Sequence, residues 1–203
     1  VGDKILKRLW DAADDTTYVG VLSDHGASPD VRIANIRKFM HDSGFTVLKE
    51  DASDGVERDE VLESEIDFEK TRAYLKDDKG FDIWINAEPG EKFDEIEREL
   101  LLTLRTWVDE EIGRNVISIT LPKRDAYLLG QWGDQCGDVI FAWDHGFVSG
   151  YYGQWQGIVG GGSVGAPEVF GAHHGGFIPT QSEISSSFGS FLIAGPDLKK
   201  GYE

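Results

Sequence analysis

An α/β fold, with a mixed, mostly parallel sheet flanked by helices, is predicted by three features of the sequence. Short apolar runs rich in β-branched residues alternate with longer runs whose apolar residues recur every three to four positions, the two periods that separate strands from helices. The chain opens in the order helix, strand, helix, as expected where helices pack on a sheet. At 203 residues, 40% of them hydrophobic, it has enough apolar material for one well-packed domain rather than two.

The first helix is expected over Asp3 to Ala13, where Ile5, Leu6, Leu9 and Trp10 share a face, and a strand follows from Tyr18 to Leu22. After Asp24-His25-Gly26, Ser28-Pro29-Asp30 reads as a helix start, with Ile33, Ile36, Phe39 and Met40 on one face and Gly44 as its C-terminal cap. Thr46 to Leu48 is a short strand and Phe81 to Asn86 another. Glu91 to Val108 carries Phe93, Ile96, Leu100, Leu101, Leu104 and Trp107 as a long amphipathic helix. Val116 to Ile119 and Val139 to Trp143 are further strands. The glycine-rich stretch from Gly146 to Gly176 keeps no period and reads as a long functional loop. Phe191 to Ala194 is the last strand, closed by a Gly195-Pro196 turn. These elements divide the chain into a core segment at 1–46, an inserted cap-like subdomain at 47–121, and a core return at 122–203 with the glycine and aromatic loop.

Charge and composition restrict the partners. The net charge of −17 and a pI near 4.6 disfavour broad attraction to a nucleic-acid polymer or an anionic membrane. A phosphate-bearing substrate would then need local positive charge, most simply from bound metal ions. The carboxylates crowding Glu50 to Glu69 lack the alternating ligands and central glycine of a calcium loop and read as a solvated face. No apolar run approaches the ~20 residues that span a bilayer. Cys136 is the sole cysteine, so no internal disulfide forms, and a small buried hydrophobe is its expected role.

The chemistry concentrates at Asp24 and His25. A carboxylate and an imidazole at the end of a buried strand are natural metal ligands, and Gly26 permits the turn that would let both reach one ion. The tripeptide recurs as Asp144-His145-Gly146, also after an apolar run, so one of the two is incidental. His173 and His174 stand together in the glycine-rich region and are better ligand candidates than a lone core histidine. His41 lies on a helix and is expected to be exposed or capping, and His145 to be structural. Trp132, Trp143 and Trp155, with Tyr151 and Tyr152, could stack on a base or sugar ring or pack in the core. Lys199 and Lys200 fit a solvated turn, and the glycines from Gly160 to Gly165 do not follow a strand and open a helix as a phosphate-cradling loop requires.

The ordered series settles which motif carries weight. SDHG at 23–26, the helix and return strand NIRKFMHDSGFTVL at 35–48, DFEKTRAY at 67–74, WIN at 84–86, His174-Gly175, and GPDLKKG at 195–201 follow one another along nearly the whole chain. Together they resemble the alkaline phosphatase superfamily, and within it the type I phosphodiesterase/nucleotide pyrophosphatase branch. The resemblance implies an alkaline-phosphatase-like fold with the site at the carboxyl edge of the strands. It also implies two divalent ions, zinc by preference with manganese or magnesium as alternatives, about 4 Å apart. Asp24 and His25 match the pair that holds one ion; His174 matches the ligand of the other, with His173 as the register alternative. The substrate implied is a small phosphoester or nucleotide.

The departure from the family is as informative. Its nucleophilic Thr or Ser and its remaining metal ligands lie upstream of SDHG, and the sixteen residues before Thr17 have no place for them. The chain is therefore expected to be a portion of a larger hydrolase, inactive alone, whose partner is the rest of that domain. The competing expectations are a non-catalytic module that binds a glycan or a protein through its glycine and aromatic region, and a pseudoenzyme scaffold.

Overall fold

The computed structural model describes residues 2–50, 66–76, 81–149, 162–167, 171–174, 188–199 and 201. It is a mixed fold of helices and small sheets. Helix α1 (Gly2–Ala12) leads to β1 (Val19–Leu22), β2 (Ser28–Pro29), β3 (Arg32–Ala34) and helix α2 (Ile36–Asp42). Strands β4 (Ala73–Tyr74) and β5 (Asp82–Ile85) precede helix α3 (Glu91–Arg105). The hairpin β6 (Val108–Asp109) and β7 (Arg114–Asn115) then leads to β8 (Ile117–Pro122), a 3-10 helix (Lys123–Leu129) and β9 (Val139–Trp143). Strands β10 (Phe147–Ser149), β11 (Val164–Gly165), β12 (Ala172–His173) and β13 (Phe191–Ala194) follow.

The core is built around the four-stranded sheet β4-β5-β9-β8 with α3 against it. Every residue of β9 is buried, which explains why VIFAW has no alternation. Helix α3 buries Ile96, Leu100 and Leu104 on one stripe, the i, i+4, i+8 spacing of a single face. It ends where the Thr106 hydroxyl donates to the carbonyls of Leu102 and Thr103, and Trp107 turns into the core. One apolar cluster joins Ile36, Met40 and Phe45 to Ile83, Leu100 and Val116 and to Phe141, Trp143 and Phe147, so it draws on all three sequence segments.

The sheets are not mostly parallel. Among the described residues β3 and β10 form the one parallel pair, and the other pairings are antiparallel. The cause lies in strand order. The chain does cross from β5 through α3 to β8, and these two strands run the same way. But β9 inserts between them and pairs antiparallel with both, so the crossover yields no parallel hydrogen-bonded pair.

Two local expectations also change. Ser28-Pro29-Asp30 does not start a helix. Ser28–Pro29 is a strand, the amides of Val31 and Arg32 both donate to the Gly146 carbonyl, and α2 begins after Asn35, whose side chain accepts from the Lys38 amide at 3.0 Å. Thr46 to Leu48 forms only an isolated bridge from Leu48 to Ile66 instead of a strand. Gly44 does close α2, at a φ of 75°.

A buried ion pair ties β3 to the β6–β7 hairpin. Arg32 donates from Nε to Asp109 at 2.5 Å and from its terminal nitrogen to Asp109 at 2.9 Å and Glu111 at 2.7 Å. Replacing Arg32 by Met should cost about 3–5 kcal/mol because Asp109 would remain buried without its cation, and R32M/D109L should recover most of it. Phe141→Ala should cost about 3–5 kcal/mol through a core cavity. Urea denaturation measures both.

Candidate metal centre

Strand β1 delivers the SDHG segment. It pairs antiparallel with β13, Val19 opposite Ala194 and Leu22 opposite Phe191. One more rung follows: the Ser23 amide donates to the Ser190 carbonyl at 2.9 Å, and the Ser190 amide donates to the Ser23 hydroxyl at 2.6 Å. This close approach needs glycine beside it, since a Cβ at Gly189 would lie 2.6 Å from the Ser23 carbonyl oxygen. The chain then leaves the ribbon, and Asp24 projects with its side chain 84% exposed.

Asp24 and His25 face one another. The Asp24 carboxylate accepts from the His25 amide at 3.0 Å, and its second oxygen stands 3.2 Å from His25 Nε2. Nδ1 of His25 is 2.7 Å from the Gly26 carbonyl, an oxygen that can only accept, so Nδ1 carries the proton. In the neutral ring Nε2 is then bare and confronts a carboxylate. Two lone-pair donors so placed call for a proton or a cation between them. In a tetrahedral site with bonds near 2.0–2.1 Å, two ligand atoms lie about 3.3 Å apart, close to the separation found here. The carbonyl on Nδ1 is also the partner that orients a metal-ligating histidine. Asp24 and His25 thus present two donor atoms at a separation that adjacent ligands of one divalent ion would have.

His173 and His174 arrive from the other end of the chain. Strand β12 pairs antiparallel with β2, His173 opposite Ser28 and Ala172 opposite Pro29. The His174 ring stacks on that of His25, with centroids 3.7 Å apart and planes 25° from parallel. His173 lies elsewhere: its Nδ1 is 2.7 Å from Asp30, whose side chain is completely buried. The structure thus sets His25 between Asp24 and the His174 ring and sends His173 to a separate carboxylate. Among the described residues no group of three or more His, Cys, Asp or Glu side chains is arranged to hold one ion.

The second DHG is a turn. Asp144 pairs with Arg114, which also donates to the His145 carbonyl at 3.0 Å, and the Phe147 amide closes the turn on the Asp144 carbonyl. Gly146 has a φ of 86°, and its carbonyl receives two amides from the 31–32 backbone. His41 Nδ1 stands 3.0 Å from the Thr46 carbonyl, steadying the end of α2. Trp143 is buried against Trp107 and Phe141, whereas Trp132 is 75% exposed beside a cavity of about 270 Å³ lined by Gln131, Gln135 and Asp82. Lys199 is exposed. Trp155, Tyr151, Tyr152, Lys200, Gly160 and Gly161 lie outside the described residues, as does most of the acidic stretch. Two contributors to this region were not expected from the sequence: Asp30, disguised as a helix-start residue, and Arg114, whose pairing with Asp144 spans 30 residues.

No family model, curated protein or solved structure matches the chain. Among the described residues no helix is long and apolar enough to cross a membrane.

Cys136 is buried beside Ala126 and Ile140, and burial pushes its thiol pKa up. It should therefore react with a thiol-specific probe at least ~10-fold more slowly in the native chain than in urea, as followed by absorbance.

Proposed function

We propose that this chain is a portion of a metal-dependent phosphoester hydrolase, a phosphodiesterase or nucleotide pyrophosphatase. The observation that carries the reading is the contact between the two ligand segments: His25 and His174 stand with rings 3.7 Å apart although 149 positions separate them in the sequence (174 − 25). Paired ions in two-metal hydrolases lie about 3.5–4 Å apart, a spacing that neighbouring imidazoles can serve. Asp24 and His25 would hold one ion, and His174 would hold the other. Imidazole with carboxylate suits zinc, with manganese or magnesium as alternatives.

Divalent ions bound there would supply positive charge for the phosphoryl oxygens in a chain of net charge −17. This chain's own contribution is to fix the donors: the Gly26 carbonyl sets the tautomer of His25, and the β1–β13 ribbon holds the turn that carries Asp24. The nucleophilic Thr or Ser and the remaining ligands would come from upstream in the parent domain.

Exposed apolar surface supports the parent domain as partner. Helix α1 buries none of its residues, and Ile5, Leu6, Leu9 and Trp10 all face outward. The β1–β13 ribbon exposes Leu22, Phe191, Leu192 and Ile193. Strands apolar on both faces are those of a sheet covered on both sides, so further strands and helices of the parent would lie here.

A glycan-binding module is the second reading, favoured by exposed Trp132 beside a groove that Phe81 and Ile140 line together with Asp82, Gln131 and Gln135. It requires binding of sugar without metal.

Two measurements test the proposal. The chain joined to its upstream segment should hydrolyse an aryl phosphodiester, and a chelator should abolish the activity; chelator-insensitive hydrolysis would refute it. Titration of the chain with Co²⁺ should show binding weakened at least ~10-fold by Asp24→Ala or His25→Ala and unchanged by His145→Ala.

A further inference from the structure

His173 ends β12 and His174 follows it, and the two rings part: His174 stacks on His25 while His173 turns to Asp30. The register of a strand as short as β12 is weakly specified by its own pairing, and a one-residue slip would carry His173 into the place of His174 and Ala172 into that of His173. Something must choose. Asp30 is the group placed to do so: its side chain is completely buried, its Oδ2 lies 2.7 Å from Nδ1 of His173, and its backbone amide donates to the Gly171 carbonyl at 3.0 Å. A buried carboxylate is costly unless it receives hydrogen bonds. Within Gly171 to His174 only a histidine side chain can supply one, since the others are Gly171 and Ala172.

We propose that Asp30 and His173 form a latch that fixes the register of β12 and thereby turns His174 onto His25. Asp30 and His173 are positioning residues, and His174 is the imidazole presented to the ion. What the presented pair binds rests on the hydrolase reading; the latch itself is a property of the metal-free chain.

The test uses the full chain without metal and then with Co²⁺ alone. In the metal-free protein, nuclear Overhauser contacts between the His25 and His174 rings should be present. They should vanish in Asp30→Ala and in His173→Ala, with amide signals of the β4-β5-β9-β8 sheet unmoved. Asp30→Asn keeps an acceptor for the Nδ1 proton and should retain the ring contact; it also serves if Asp30→Ala fails to fold. Co²⁺ affinity should fall about 10-fold in either alanine variant, and Asp30→Ala/His173→Ala should be no weaker than either alone, because the two act as one unit. Ring contacts that persist in Asp30→Ala would overturn the latch. So would a loss of Co²⁺ binding in His173→Ala with the His25 and His174 contact intact, since His173 would then be the ligand. If the unaltered chain binds no Co²⁺ while the contact still depends on Asp30, the hydrolase reading fails and the latch stands.

Discussion

The pairing of residues 28–35 with three separated stretches of the C-terminal half is the constraint on which the rest of the structure depends. Strand β2 takes β12, β3 takes β10 on one side and β11 on the other, and the Val31 and Arg32 amides share the Gly146 carbonyl. The Asn35 amide donates to the Ser163 carbonyl at 2.7 Å. This backbone is largely buried, and a buried amide left unpaired costs about as much as a lost hydrogen bond. Satisfying these groups one by one draws in segments that carry little regular structure of their own. Among the described residues β12 is held by β2 and by Asp30, and it carries His174 to its place against His25.

The two DHG tripeptides show how context assigns a role that residue type leaves open. Each follows an apolar strand and each places a carboxylate beside an imidazole. Near the first, no arginine contacts Asp24 among the described residues, and its carboxylate is left to face His25. Near the second, Arg114 occupies Asp144 and the glycine carbonyl is spent on backbone amides. A carboxylate already neutralised by a guanidinium is a poor candidate for a cation, whereas one confronting a bare imidazole nitrogen is a good one.

Elements with a full period of their own were legible in the sequence. Helix α3 starts at the expected Glu91, β9 and β13 have the expected bounds, and α1, β1 and β5 differ only at their ends. The short strands were not legible, since β2, β3, β10, β11 and β12 have two or three residues each and exist through partners distant in sequence. Proline and aspartate at 29 and 30 carry a strong local preference for a helix start, and tertiary pairing overrode it. The same limit applied at the site. Asp24, His25 and the His173-His174 pair were visible by residue type, but Asp30 offered no local signal because its partner is 143 positions away. The mostly parallel sheet was expected from element order, and β9 entering between β5 and β8 is a choice that periodicity does not encode.

The β1–β13 ribbon also governs the order in which the chain can mature. Tyr18 donates from its hydroxyl to Asp197 at 3.0 Å across 179 residues, and the rungs between β1 and β13 span almost as far. Among the described residues β1 pairs with β13 alone, and that pairing must wait until residues 191–194 have been made. Contacts so distant in sequence are late and slow to form, and the apolar run at 19–22 stays open to other chains in the interval. The four-stranded sheet with α3 has a more local wiring and can close first. The turn that carries Asp24 and His25 is therefore among the last parts of the molecule to take shape, and the stack of His25 on His174 cannot form before the fold is nearly complete.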